Sequence, residues 1–136
     1  MELLEVLLDT DIMIDVMREY APAVEWIQAL RERNAKLSLT GLTVMELVQG
    51  CENKEQVGNL REEVKPFHIL WPSYLACSQA LEAYMQYRLS HGLSILYALI
   101  GQMAQDLGIP LHTFNKRHFE TIFKLQTVQP YKREYQ

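Results

Sequence analysis

No segment of this sequence stays apolar for the ~20 residues that a helical membrane span requires. Its opening, MELLEVLLDTD, has no basic block before the leucines and sets acids among them, which argues against an export signal. Cysteine is scarce. Cys51 and Cys77 fall in segments of helical pattern, and without an export signal both are expected to be reduced thiols in a cytoplasmic protein. They form no CxxC pair, and no two histidines and a carboxylate show the spacing of a zinc protease. A transition-metal centre built on Cys and His therefore has no support. The absence of a GxGxxG turn and of a P-loop removes support for nucleotide-cofactor chemistry. Positive charge is also short: 13 Lys and Arg stand against 17 Asp and Glu, a net charge of −4. Broad duplex binding relies on neutralising many phosphates and needs the opposite balance. A small nucleic-acid substrate met at a cation held by carboxylates does not. The locally basic end, PYKREYQ, is expected to be a solvated tail.

What is present is an ordinary folding composition, with 49% hydrophobic and 22% charged residues in 136. The length suits one domain over residues 1–136. Short apolar runs alternate with helical patterns. EVLLDTD (5–11) is expected to be a buried strand, followed by a helix in IMIDVMRE and a second opened by Pro22. AKLSLTG (35–41) is the next strand. Thr43 is expected to cap the helix TVMELVQGCE, with Glu46 at the capping-box position. NKEQVGNLREEVK continues as an amphipathic helix. FHILWP is a strand stopped by Pro72, and SYLACSQALEAYMQYRLSHG a long helix closed by Gly92. SILYALIGQMAQDLG is a helix capped by Ser94 and closed by Gly108, IPLHTFN a strand, KRHFETI a helical turn and KLQTVQP a last strand. Strands joined by such helices imply right-handed crossovers: an α/β/α sandwich around a parallel sheet of about five strands.

In such sheets the chemistry sits beyond the C-terminal strand ends. That selects Asp9–Asp11, Thr40–Glu46, Pro72–Ser73 and Thr113–His118. Asp9 ends a very apolar strand, where a carboxylate is costly unless a cation or donors meet it. Asp11 is the expected cap of the following helix, with Asp9 as cap or satisfied turn acid standing as the alternative to its metal-ligand role, while Asp15 and Glu19 are expected to face solvent. Glu46 either completes the cap or aims a second acid at the same place. His68 and His91 suit structural roles, His112 could face either layer, and His118 is a candidate for a functional one. Oxygen ligands of this kind suit Mg²⁺ or Mn²⁺. Two such ions can clamp the attacking and leaving oxygens in phosphodiester cleavage. That chemistry needs three or four acids. Asp9 and Glu46 are two; Tyr97 and Asn115 follow where others would stand.

Taken together, LLDTDIMIDVMRE, SLTGLTVMELVQG and GLSILYALIGQMAQDLGIPLHTFNKRHF resemble the motifs of the PIN domain, above all its small bacterial members, the VapC-type toxins. The resemblance covers nearly the whole chain. It implies a Mg²⁺- or Mn²⁺-dependent endoribonuclease acting on RNA, usually dimeric and inhibited by a cognate antitoxin. It also implies metal-binding roles for Asp9 and Glu46. The third motif departs from the family: where Pro-Asp-Ala is usual, this chain has Leu96-Tyr97-Ala98. A phenol with a pKa near ~10 brings no charge to offset a cation, and it is bulkier than aspartate. The fourth motif has Asn115 and His118 where an Asp is common. Asp106 lies nine residues after Tyr97, roughly 13 Å along a helix, and cannot replace the lost acid. Glu120 is nearer the strand edge.

The resemblance therefore implies impaired cleavage. Two origins fit Tyr97: a natural degenerate PIN domain, or a one-base change from a parent with aspartate, which is slightly favoured. A tyrosine codon at the source locus would end the second idea. A non-catalytic interaction module binding an antitoxin or RNA is the alternative, with the Leu-, Met- and Tyr-rich stretch SYLACSQALEAYMQYRL as its surface. A haloacid-dehalogenase-like phosphatase with Asp9 as nucleophile is disfavoured, because no Asp-Asp or Gly-Asp pair follows Glu52.

Overall fold

Five short strands pair in parallel in the order β3-β2-β1-β4-β5. The computed structural model describes residues 4–135. The strands are β1 (Glu5–Leu8), β2 (Lys36–Thr40), β3 (His68–Leu70), β4 (Leu111–His112) and β5 (Thr127–Val128). Between them run α1 (Thr10–Met17), α2 (Ala21–Glu32), α3 (Gly41–Gln49), α4 (Lys54–Val64), α5 (Tyr74–His91), α6 (Ile95–Leu107) and α7 (Lys116–Phe123). The expected α/β class and five-stranded parallel sheet are what the chain adopts.

The central strand explains the layering. Val6 and Leu8 point to one side of β1 and Leu7 to the other, and all three are buried, as in a sheet covered on both faces. On the first face they pack with Ile12, Met13, Ile27, Leu39, Leu47 and Leu60, drawn from α1–α4 and β2. On the second, Leu7 meets Ala80, Ala98, Ile100, Leu111, Phe119 and Phe123, mostly from α5–α7. From β1 the chain first moves outward through β2 and β3, then returns to place β4 on the other side of β1. The order thus reverses at β1, and the crevice beyond the C-terminal ends of β1 and β4 is where such sheets receive ligands.

Helix ends follow local chemistry, with two corrections. Ser94 accepts the Tyr97 N–H at 3.0 Å, and Gly92 and Gly108 close α5 and α6 in the left-handed region, as expected. Strand β1 stops at Leu8, so Asp9-Thr10-Asp11, the end of the expected EVLLDTD strand, already turns into α1. Asp9 itself, not Asp11, is the cap of α1 and accepts the Thr10 N–H at 2.8 Å. Helix α3 begins at Gly41, so Thr40, not Thr43, is its cap and accepts the Thr43 N–H at 3.0 Å. The Thr43–Glu46 capping box therefore does not form, and Glu46 is free for another task. The other strands are likewise shorter than their apolar runs, because each pairs over only two to five residues.

Two further expectations fail together. Asp15 does not face solvent but is fully buried, and the chain end is not a solvated tail. Arg133 and Tyr131 return to Asp15, and Tyr20 packs against Tyr131 and Tyr135. Glu19 is exposed as expected, just past the end of α1. Both cysteines are unpaired thiols, and among the described residues no helix is long and apolar enough to cross a membrane.

Candidate active site

Asp9 is fixed by its cap position at the C-terminal end of β1, and only 2% of it is exposed. One carboxylate oxygen accepts the Thr10 N–H at 2.8 Å; the other accepts the Thr113 hydroxyl from β4's end, also at 2.8 Å. Burial raises the Asp9 pKa to about 7, aided by the charges of Asp11 and Glu46 and opposed by those two hydrogen bonds. One turn on, Asp11 accepts the Phe114 N–H at 2.8 Å, and its other carboxylate oxygen is buried without a partner. Burial pushes Asp11 up as well, against the pull of the Phe114 amide and the Arg133 guanidinium.

Glu46 reaches the same place from α3. Released from the expected cap, it is half-buried, and its charge is felt at Asp9. Tyr97 arrives from the first turn of α6. Its ring meets His118 edge-on at 5.9 Å and Phe119 at 5.5 Å. Burial raises its pKa, with the charges of Asp9, Glu46 and Asp11 adding to the effect and the Asn115 side chain opposing it. The phenol thus stays neutral among carboxylates. Asn115 opens α7 and donates its backbone N–H to the Thr113 hydroxyl at 2.9 Å. All four residues singled out from the sequence, Asp9, Glu46, Tyr97 and Asn115, lie at one sheet edge.

Other candidates separate. His118 lies against Tyr97 with Nδ1 buried and unpartnered. His112 turns to the first layer beside Trp26, and burial lowers its pKa. His68 is exposed on β3, and His91 ends α5. Neither possible substitute acid supplies the centre: Asp106 accepts from Gln102, and Glu120 from the Thr127 hydroxyl. Thr113 was not singled out, although it ties Asp9, Asp11 and Asn115 together. Its position beyond a strand end was the available signal. Arg133 gave none.

Beside the acids opens a groove of about 840 Å³. Ile14, Met17, Leu47 and Leu60 give it apolar walls; Asp11, Glu46, Glu62 and Glu63 outnumber the one cation among its described residues, Arg18, and Tyr97 also lines it.

The PIN domain model matches residues 6–124. The chain belongs to the PIN-domain family. A comparison with curated proteins gives no match. Among solved structures, a toxin–antitoxin complex from Klebsiella pneumoniae is 26% identical, with a TM-score of 0.68 over 94% of this chain and 99% of that one. VapBC-1 from nontypeable Haemophilus influenzae is 21% identical, with a TM-score of 0.72 over 92% and 97% of the two chains. VapBC2 from Rickettsia felis, solved on a fragment of its promoter DNA, is 18% identical with a TM-score of 0.74 over 92% and 98%. The last two likenesses are of fold.

PIN domains generally use divalent metal ions. The residues of this PIN domain do not make up such a site. Among the described residues no three His, Cys, Asp or Glu side chains converge closely enough to hold an ion. Both Asp9 oxygens already accept hydrogen bonds, and the ring that joins these acids, Tyr97, is neutral. A hard cation needs anionic oxygens to replace its water.

Proposed function

We propose that this PIN domain is the toxin member of a toxin–antitoxin pair, framed for hydrolysis of RNA and held to little or no cleavage by Tyr97. The placing of Asp9, Asp11 and Glu46 at one end of the sheet, near enough to act on one another's charge but too spread to hold an ion as they stand, supports the reading most. An acid pushed up to about 7 by burial and by its acidic neighbours is a carboxylate site short of positive charge. Relative to the motif the chain resembles, one acid is missing, and Tyr97 stands at its position. Replacing Tyr97 with aspartate is expected to give divalent-ion binding, by calorimetry with Mn²⁺, and Mg²⁺-dependent cleavage of RNA. The unsubstituted chain should show little of either. If the Tyr97→Asp chain binds no divalent ion, the hydrolase reading is wrong.

The groove supports a second role that needs no turnover. Its apolar walls and excess of acids suit a basic segment carrying apolar side chains, as an antitoxin would supply. The Klebsiella relative is itself a toxin–antitoxin complex. The partner should be a small basic protein encoded with the chain and co-purifying from the cytoplasm. Retention of that partner by an Asp9→Ala chain would favour the interaction module. A homodimer fits the exposed apolar face of α5.

A further inference from the structure

The family match closes at residue 124, yet the segment beyond it reaches back to the acidic edge. Arg133 is held on several sides. Nε donates to Asp15 Oδ2 at 2.9 Å, and a terminal nitrogen donates to the Asp11 carbonyl at 3.2 Å. The guanidinium lies 4.0 Å from the Phe114 ring centre and 5.2 Å from that of Tyr135, both suited to cation–π attraction. Tyr131 adds its hydroxyl to Asp15 at 2.6 Å, and the Glu134 N–H donates to the Tyr20 hydroxyl at 3.0 Å. Asp15 is 0% exposed and needs a cation beside it.

Arg133 also touches both residues that one hydrogen bond joins. It holds Asp11 by its carbonyl and Phe114 by its ring, while the Phe114 N–H donates to the Asp11 carboxylate at 2.8 Å. That bond fixes the turn from β4 into α7, which carries Thr113 and Asn115 to the centre. We propose that Arg133 is a positioning residue: docked on Asp15, it clamps Asp11 to Phe114 and so sets the geometry of the acidic edge. Its consequence for turnover rests on the RNA-hydrolase reading; the clamp itself does not.

Removing Arg133 alone strands a buried carboxylate and risks unfolding, so Asp15→Asn serves as the parent: its amide oxygen still accepts from Arg133 Nε, and the Asp11 carbonyl and the Phe114 and Tyr135 rings still seat the guanidinium. In Asp15→Asn/Arg133→Met, hydrogen exchange by NMR is expected to show Phe114 amide protection lower by on the order of tenfold, the scale of one hydrogen bond. The Leu111 amide, held by Gln126 in the sheet, should be unchanged. A lysine at 133 should restore part of the protection. With Tyr97→Asp added throughout, the same loss should appear in kcat for RNA cleavage with KM unchanged. Unchanged Phe114 protection, or an equal fall at Leu111, overturns the clamp. A lost clamp with unchanged kcat overturns the positioning role. An inactive Tyr97→Asp parent counts against the hydrolase reading, and exchange at Phe114 then decides the clamp alone.

Discussion

Asp9 holds a carboxyl where a negative charge is poorly tolerated. Its pKa of about 7 in the folded chain exceeds the ordinary 3.8, chiefly through burial. The folded state therefore keeps a proton that the unfolded chain releases between about pH 4 and pH 7. The stability this carries is present in full below about pH 4 and lost as pH rises through about 7. Asp9→Asn keeps an acceptor for Thr10 and a polar partner for Thr113 but cannot charge. It is expected to stabilise the fold by about 1–3 kcal/mol at pH 8 and by little at pH 4, read from urea unfolding at each pH. Equal destabilisation at both would make the hydrogen bonds, not the charge, the controlling feature. At this scale the sequence was legible where a residue follows a strand: Asp9 and Asn115 each cap the helix that comes after one, while Tyr97 lies in the first turn of α6 and Glu46 in the second turn of α3. It was opaque for Asp15. An eight-residue helix offers only its own period, and the partner that makes burial tolerable lies 118 positions on.

Among the elements, two glycines present the same apparent obstacle with opposite consequences. A β-carbon on Gly41 would collide with the Trp71 ring, and one on Gly101 with the Phe123 ring. Trp71 is 62% exposed and can swing into solvent, whereas Phe123 is 3% exposed and locked between α6 and α7. Gly101→Ala is expected to cost about 1–3 kcal/mol, as overpacking of a closed core does. Gly41→Ala should cost under about 1 kcal/mol, since helix propensity offsets part of the movement. It should instead change the tryptophan emission. Urea unfolding of both, with fluorescence of the second, checks the pair; an equal loss in each would mean Trp71 is not free to move. Helix starts were legible only to within a few residues. Thr40 and Thr43 are both good caps by composition. The chain uses Thr40 because β2 ends there and α3 turns directly out of the sheet edge.

For the molecule as a whole, the alternation of apolar runs and helical patterns fixed the layers, because a parallel sheet needs a helix for each return. What alternation could not say is which surfaces stay uncovered. Along α5, Leu81, Met85 and Leu89 recur every four residues, and they are 56%, 59% and 97% exposed. Tyr74 and Leu75 extend the apolar surface at the helix start. Residues four apart share one helix face, so the stripe is continuous rather than scattered. The inner side of α5 is already satisfied by Ala80, Tyr84 and Tyr87 against the second core layer, so the stripe is not needed for folding. Monomers rarely leave such a patch open, and a stable pair covers roughly 800 Å² on each partner. The proposed homodimer should therefore form across α5. Leu81→Glu with Met85→Glu would place like charges at that contact. These changes should halve the mass seen by light scattering while leaving circular dichroism and the urea midpoint of the separated chain nearly unchanged. A dimer that survives both acids would place its interface on another face.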